Sequence, residues 1–286
     1  QPLNVRRQRQ MCIRDSFISA KNETLIGSLV FLNNWIIRTE LTNALDKVFI
    51  RNIITNEEEE LIFTDEKVYD PSVSLRQKDR DTDEIYISYS TPKTQNRTYL
   101  YNIKTKEKKL VKEQIIPSGH EPNDYIVERL ECPSHDGRVV PITITRHKNT
   151  PIDGSAELLL YGYGSYGHSM SPTFSSTRLS LIKRNIIWAT AHIRGGMERG
   201  MKWWKEGKLL NKKNTFKDYI ACAKFLIEKK YTSKKKIIGM GGSAGGLLMG
   251  VVVNEEPDLF LGVIMAVPFV DSLTTNLDHS LPLTIG

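Results

Sequence analysis

The sequence predicts an α/β chain in which a mostly parallel sheet, covered on both faces by helices, follows a β-rich region built from a repeated unit. Three observations carry this. Residues 237–250 pass from an apolar strand through a glycine-flanked serine into an apolar helix. Apolar strand-like runs at 158–161, 185–192, 236–240 and 261–270 alternate with helical patterns, as strand-helix-strand units do. The first part of the chain repeats at a spacing of 50 residues: Ile37, Phe49, Asn52, Ile53, Thr55 and Glu57 match Ile87, Tyr99, Asn102, Ile103, Thr105 and Glu107.

In chain order, residues 1–16 look foreign to a fold. Arg6, Arg7, Arg9 and Arg14 sit among glutamines without apolar periodicity, and no hydrophobic run of the signal-peptide kind follows them. Each copy of the 50-residue repeat alternates apolar and polar residues, as half-buried strands do, and a period of that length suggests propeller blades; two similar hairpins in a sandwich would give the same pattern. About two blades fit, fewer than a closed propeller uses. After Pro117-Ser118-Gly119 the pattern changes. Tyr125–Cys132 and Arg138–His147, joined by Ser134-His135-Asp136-Gly137, predict an antiparallel hairpin on the strength of the Asp-Gly turn. Asn214 or Thr215 is expected to cap a helix whose Phe216, Tyr219, Ile220, Ala223, Leu226 and Ile227 recur at helical spacing; Cys222 lies beside that core stripe.

With 286 residues and 40% apolar content, the chain can bury a sizeable core. Its longest apolar stretches fall short of a membrane span. Cys12, Cys132 and Cys222 have no paired spacing, which argues against a disulfide framework or zinc site and points to a reducing cytoplasm. The four early arginines less Asp15 contribute +3 of the +7 net charge, leaving a modest balance elsewhere. Lysines at 104–109 and 234–236 lack the interleaved aromatics of a nucleic-acid surface, so neither nucleic acid nor membrane is expected as a partner.

The chemistry is concentrated at Ser243. A serine on a sharp strand-to-helix turn, with Gly241 and Gly245 carrying no side chain, is how a nucleophile elbow is built; the next amide, that of Ala244, then points at a developing oxyanion. Gly239-Met240-Gly241-Gly242-Ser243-Ala244 also fits the GxGxxA pattern of a dinucleotide-binding turn, with Asp271 as a passable ribose acid. The upstream run Leu158-Leu159-Leu160-Tyr161-Gly162-Tyr163-Gly164-Ser165-Tyr166-Gly167 reads as a buried strand opening into a glycine-rich loop. Hydrolases complete an oxyanion hole in such a loop, and a dinucleotide site has no use for it.

These segments, with Ile193-Arg194-Gly195-Gly196, Asn214-Thr215-Phe216-Lys217-Asp218-Tyr219, Gly241–Gly246, Pro257-Asp258-Leu259-Phe260 and Val267-Pro268-Phe269-Val270-Asp271, resemble the catalytic domain of the prolyl oligopeptidase family, most closely its oligopeptidase B branch. The resemblance is strong over about residues 120–286 and looser over 24–115. It implies an α/β-hydrolase catalytic domain over 117–286, C-terminally truncated, preceded by partial β-propeller blades over 17–116. It makes Ser243 the nucleophile, with the Tyr163 phenol and the Ala244 amide as oxyanion donors, and requires no metal or cofactor. The implied activity is acyl-enzyme cleavage of short peptides, with Arg or Lys before the scissile bond as the branch's preference.

A serine hydroxyl needs an imidazole and a carboxylate behind it, in the order serine, acid, histidine along the chain. The only histidine after Ser243 is His279, whose neighbour Asp278 cannot orient it in the usual geometry; a surface-loop role is expected, and His120, His135, His147, His168 and His192 are expected to be structural or exposed. The chain as written, ending 43 residues after Ser243, is therefore expected to be nearly inactive. By resemblance, the glutamates that select a basic residue lie beyond Gly286, and acids of the neighbouring subsite are replaced by Ser171 and Thr173. Arg194 and Glu198 are expected to pair with each other. An esterase or acyl-peptide hydrolase of the same fold, and a non-catalytic scaffold or dinucleotide binder, are the competing readings. Oligomeric state is not legible.

Overall fold

The structure, a computed structural model, describes residues 17–78 and 80–281; the leader at 1–16 and the last five residues lie outside it. The 50-residue repeat becomes two four-stranded antiparallel meanders. The first holds β1 (Thr24–Phe31), β2 (Trp35–Thr42), β3 (Leu45–Asn52) and β4 (Glu58–Glu60); the second holds β5 (Asp70–Leu75), β6 (Glu84–Ser90), β7 (Arg97–Asn102) and β8 (Lys108–Glu113). Some of the matched residues do the same work in both, whereas Ile53 is exposed and its match Ile103 is fully buried. Ile37 and Ile87 are both fully buried, in β2 and β6, with their cross-strand registers offset by one residue. Asn52 Oδ1 accepts from the amides of Ile54 and Thr55, and Asn102 Oδ1 accepts from those of Lys104 and Thr105. An Asx turn of this kind fixes the hairpin register locally. The two sheets share one core, into which Leu61 and Phe63 of the connecting segment insert, Phe63 standing edge-on to Tyr89, Tyr99 and Tyr101.

The second half forms a six-stranded sheet in the order β14-β13-β11-β12-β10-β9, from β9 (Tyr125–Pro133), β10 (Val139–His147), β11 (Leu158–Tyr161), β12 (Ile187–Ala191), β13 (Ile237–Gly242) and β14 (Phe260–Ala266). β14, β13, β11 and β12 run parallel, while β10 and β9 are antiparallel and close through the expected Asp-Gly turn, where Gly137 takes a φ of 81°. Strand alternation sends Ile187, Ala189 and Ala191 of β12 toward α3 (Lys213–Glu228) and α4 (Ala244–Glu255), and Trp188 toward α1 (Ser176–Ile182) on the other face. The predicted stripe of α3 is core: Phe216, Tyr219, Ala223 and Leu226 are buried, Ile227 is half-buried, and the Tyr219 hydroxyl donates to the Leu160 carbonyl at 2.6 Å.

Three expectations are corrected. α3 starts at Lys213, and neither Asn214 nor Thr215 caps it; their side chains instead donate to the carbonyls of Glu206 (Asn214) and of Arg194 and Gly207 (Thr215), so they tie loops together. The last strand stops at Ala266 because Val267 turns left-handed at φ 42° and Pro268 has no amide to continue a ladder. Where coverage on both faces was expected, Leu261, Ile264 and Met265 of β14 are exposed among the described residues. Among the described residues no helix is long and apolar enough to cross a membrane.

Candidate active site

The chain leaves β11 for β12 on one side and later returns to place β13 on the other, so β11 and β13 flank a topological switch point. Crevices at the carboxyl ends of such strands are where ligands settle in open α/β sheets. The two loops singled out in the sequence emerge there together. Tyr161 is in register with Met240, and the Gly162 amide donates to the Met240 carbonyl at 3.1 Å.

One residue, Ser243, makes the junction between β13 and α4, with φ 53° and ψ −117°. A non-glycine residue in that region is strained and persists only where its surroundings over-determine it. Here they do. The Ser243 amide donates to the Ala266 carbonyl at 2.8 Å, and its carbonyl accepts from the amides of Gly246 at 2.9 Å and Phe269 at 3.0 Å. A Cβ on Gly241 would overlap the Gly245 carbonyl, and one on Gly246 would overlap Pro268. The Ser243 side chain is exposed, and among the described residues it makes no capping hydrogen bond to α4. Ala244 is buried at the first turn of α4, where amides lack intrahelical acceptors and the helix dipole favours negative charge. The dinucleotide reading needs its glycines in the turn, whereas Gly239 lies inside β13.

Tyr163 is half-buried beside this elbow. A Cβ on Gly245 would sit 3.1 Å from the Gly162 carbonyl oxygen and 3.3 Å from Tyr163 Cδ2, so the Tyr163 loop lies close against the first turn of α4. His168 packs edge-on to the Tyr163 ring with centroids 5.4 Å apart, a contact the sequence did not announce.

Behind Tyr163 three glycines stack. A side chain on Gly195 would overlap the Gly164 carbonyl, and one on Gly207 would overlap the Gly195 amide. The stack is pinned by a buried ionic group. Arg194, 1% exposed, donates from Nε at 2.8 Å and NH2 at 2.6 Å to the fully buried Asp218, and from NH1 at 2.6 Å to Asp136. Asp218 also accepts from the Arg194 amide at 3.1 Å and the Ser134 hydroxyl at 2.5 Å. The two carboxylates outweigh burial and raise the Arg194 pKa, and the Arg194 guanidinium in turn outweighs burial and lowers that of Asp136. The expected Arg194–Glu198 pair is thus replaced: Glu198 accepts from the Met170 amide at 3.1 Å and faces His192. Charge matching favours this, because Arg194 satisfies its fork bidentately on Asp218. The available signal was Asp218 itself, an acid on the buried stripe of α3 that had to have a cationic partner.

Among the described residues, none of the other predicted residues hydrogen-bonds the Ser243 side chain. His279 is exposed in the turn after α5 (Ser272–Leu277), and Asp278 accepts from Ser280. Asp271 caps α5, accepting from the Thr274 amide at 3.1 Å. His192 is fully buried, with Nε2 2.8 Å from the Thr143 hydroxyl, and burial lowers its pKa. His120 bonds the Lys93 carbonyl, His135 contacts Ser134, and His147 packs on Tyr125. Burial raises the pKa of Asp70 of β5, with Ser171 beside it opposing that shift; the Thr173 carbonyl accepts from Arg178.

A parallel sheet whose switch point presents a left-handed serine at a strand-helix junction defines an α/β-hydrolase. Residues 172–286 match the family model described as prolyl oligopeptidase family. The chain is 38% identical over 269 residues to dipeptidyl aminopeptidase BI of Pseudoxanthomonas mexicana, covering 94% of this chain and 37% of that protein. It is 40% identical over 242 residues to protease 2 of Moraxella lacunata, covering 85% and 34%. Oligopeptidase B from Trypanosoma brucei, in its closed form with covalently bound antipain, superposes with a TM-score of 0.85 at 35% identity, covering 93% of this chain and 39% of that one. The chain belongs to the prolyl oligopeptidase family, and it spans about a third of the length of the curated relatives it matches.

Proposed function

We propose that these residues carry the nucleophile and oxyanion side of a serine peptidase that cleaves short peptides, after Arg or Lys, through an acyl-enzyme at Ser243. The carrying observation is the exposed Ser243 hydroxyl on a left-handed junction, with the Tyr163 loop packed against Gly245 beside it. The hydroxyl oxygen attacks the scissile carbonyl, and the carbonyl electrons move onto its oxygen, which takes hydrogen bonds from the Tyr163 phenol and the Ala244 amide. Collapse of that intermediate expels the amine with a proton, and water then hydrolyses the ester. Attack requires a base. Among the described residues no imidazole or carboxylate hydrogen-bonds the Ser243 side chain, so the reading assigns proton transfer to groups outside them, and these residues alone are expected to acylate slowly. Neither metal nor cofactor enters this route. Covalently bound antipain in the Trypanosoma brucei relative supports covalent chemistry at such a site. The free, buried Cys132 and Cys222 suit a reducing, cytoplasmic setting.

The test is turnover by the intact protein of an Arg-linked peptide anilide and of a simple acyl ester. The reading expects anilide cleavage that disappears in Ser243→Ala. Cleavage of the ester alone would move the assignment to an esterase, and anilide turnover that survives in Ser243→Ala would overturn it.

A further inference from the structure

The segment that carries Tyr163 has little regular structure to hold it. Gly164, Tyr166 and Gly167 take φ values of 67°, 57° and 68°, so three residues in four are left-handed, and the segment is fixed at its ends by Gly162 on Met240 and by the Gly167 amide donating to the Gly195 carbonyl at 2.9 Å. Between those ends one side chain grips it. Lys212, the residue before α3, extends its ammonium under the loop and donates to the Gly164 carbonyl at 2.6 Å and to the Ser165 hydroxyl at 2.5 Å. Ser165 is 4% exposed, and the face of Gly164 opposite solvent is filled by Thr215 and Ile193.

Lys212 is an expensive choice for packing alone. It is half-buried, and among the described residues no carboxylate pairs with it; burial lowers its pKa to about 8. The charged groups on the surrounding elements are engaged elsewhere. Asp136 and Asp218 hold Arg194, Glu206 holds Arg138, and Lys208 lies over the Trp204 ring. A partly desolvated cation whose only partners are neutral oxygens costs stability that an apolar chain would not. What the charge provides is a strong, directional grip on a carbonyl one residue past Tyr163.

We propose that Lys212 is a positioning residue: by holding Gly164 and Ser165 it fixes where the Tyr163 phenol stands relative to Ser243. This rests on the peptidase reading above, and it acts through Tyr163 without touching substrate. Small displacements of a catalytic donor can cost on the order of 100-fold in rate.

The experiment compares native intact protein with Lys212→Met, Lys212→Arg, Ser165→Ala and, as a control on the neighbouring exposed position, Lys213→Met. Each is read by kcat and KM on the Arg-linked anilide and by amide hydrogen exchange over 164–168. Lys212→Met is expected to lower kcat roughly 10- to 100-fold with KM within about threefold, and to speed exchange of those amides by at least about tenfold. Lys212→Arg should recover most of both, Ser165→Ala should show a smaller loss in the same direction, and Lys213→Met should change neither. Unchanged kcat and exchange in Lys212→Met, an equal loss in Lys213→Met, or a loss confined to KM would overturn the proposal. Should Lys212→Met fail to fold, Ser165→Ala decides by the same two readouts. If native protein turns over nothing while exchange still responds to Lys212, the peptidase reading fails and the grip stands; Ser243-dependent turnover that ignores Lys212 is the opposite result.

Discussion

The two flanks of Ser243 are built differently. On the Tyr163 side the backbone is held by what is missing and by buried charge: Gly164, Gly195 and Gly207 stack without side chains, and Arg194 locks the stack to Asp218 and Asp136. On the β14 side Ser243 is held by two backbone hydrogen bonds, to Ala266 and from Phe269, while the side chains beyond them face solvent, with Val267 85%, Leu273 73% and Leu277 65% exposed. One flank is buried, and the other, among the described residues, exposes its side chains.

Substitutions can break or sharpen that contrast. Gly195→Ala should do the most damage, because its Cβ has no space and the φ of 103° is unfavourable to any side chain; a loss above about 4 kcal/mol, or no soluble protein, is expected from chemical denaturation. Asp218→Ala should follow at roughly 3–5 kcal/mol, because it leaves Arg194 buried with only the half-exposed Asp136. Tyr163→Phe should leave the melting curve nearly unchanged and lower kcat roughly 100- to 1,000-fold, with KM little affected. A Tyr163→Phe protein with full kcat would remove the phenol from the oxyanion site. At the bottom of the scale, Leu273→Gln on the open flank should move stability by less than about 0.5 kcal/mol. A loss above about 1 kcal/mol there would show that in the intact protein this face is covered, and the contrast between the flanks would shrink accordingly.

The sequence made the fold legible where local chemistry and periodicity agree. The 50-residue repeat survived as two meanders because Asn52 and Asn102 make the same turn, and β11 was readable because a short apolar run buried on both faces has one place to go in a parallel sheet. Long-range pairing was less readable. Nothing near Arg194 in the chain names Asp136, 58 residues away, as its partner, and nearby Glu198 was the natural but wrong choice. Thr215 looked like a helix cap because caps and loop ties use the same hydroxyl, and only the position of the Gly207 carbonyl decides between them. Lys212 was invisible for a related reason: a lysine among lysines reads as a solvated face until a carbonyl from another loop is placed over it.

The account stands on Ser243 being the residue that becomes acylated. Treating the intact, active protein with a fluorophosphonate and mapping the modified peptide tests this directly. The label is predicted on Ser243, with labelling and turnover lost together in Ser243→Ala; inactivation with the label on any other residue would contradict the account.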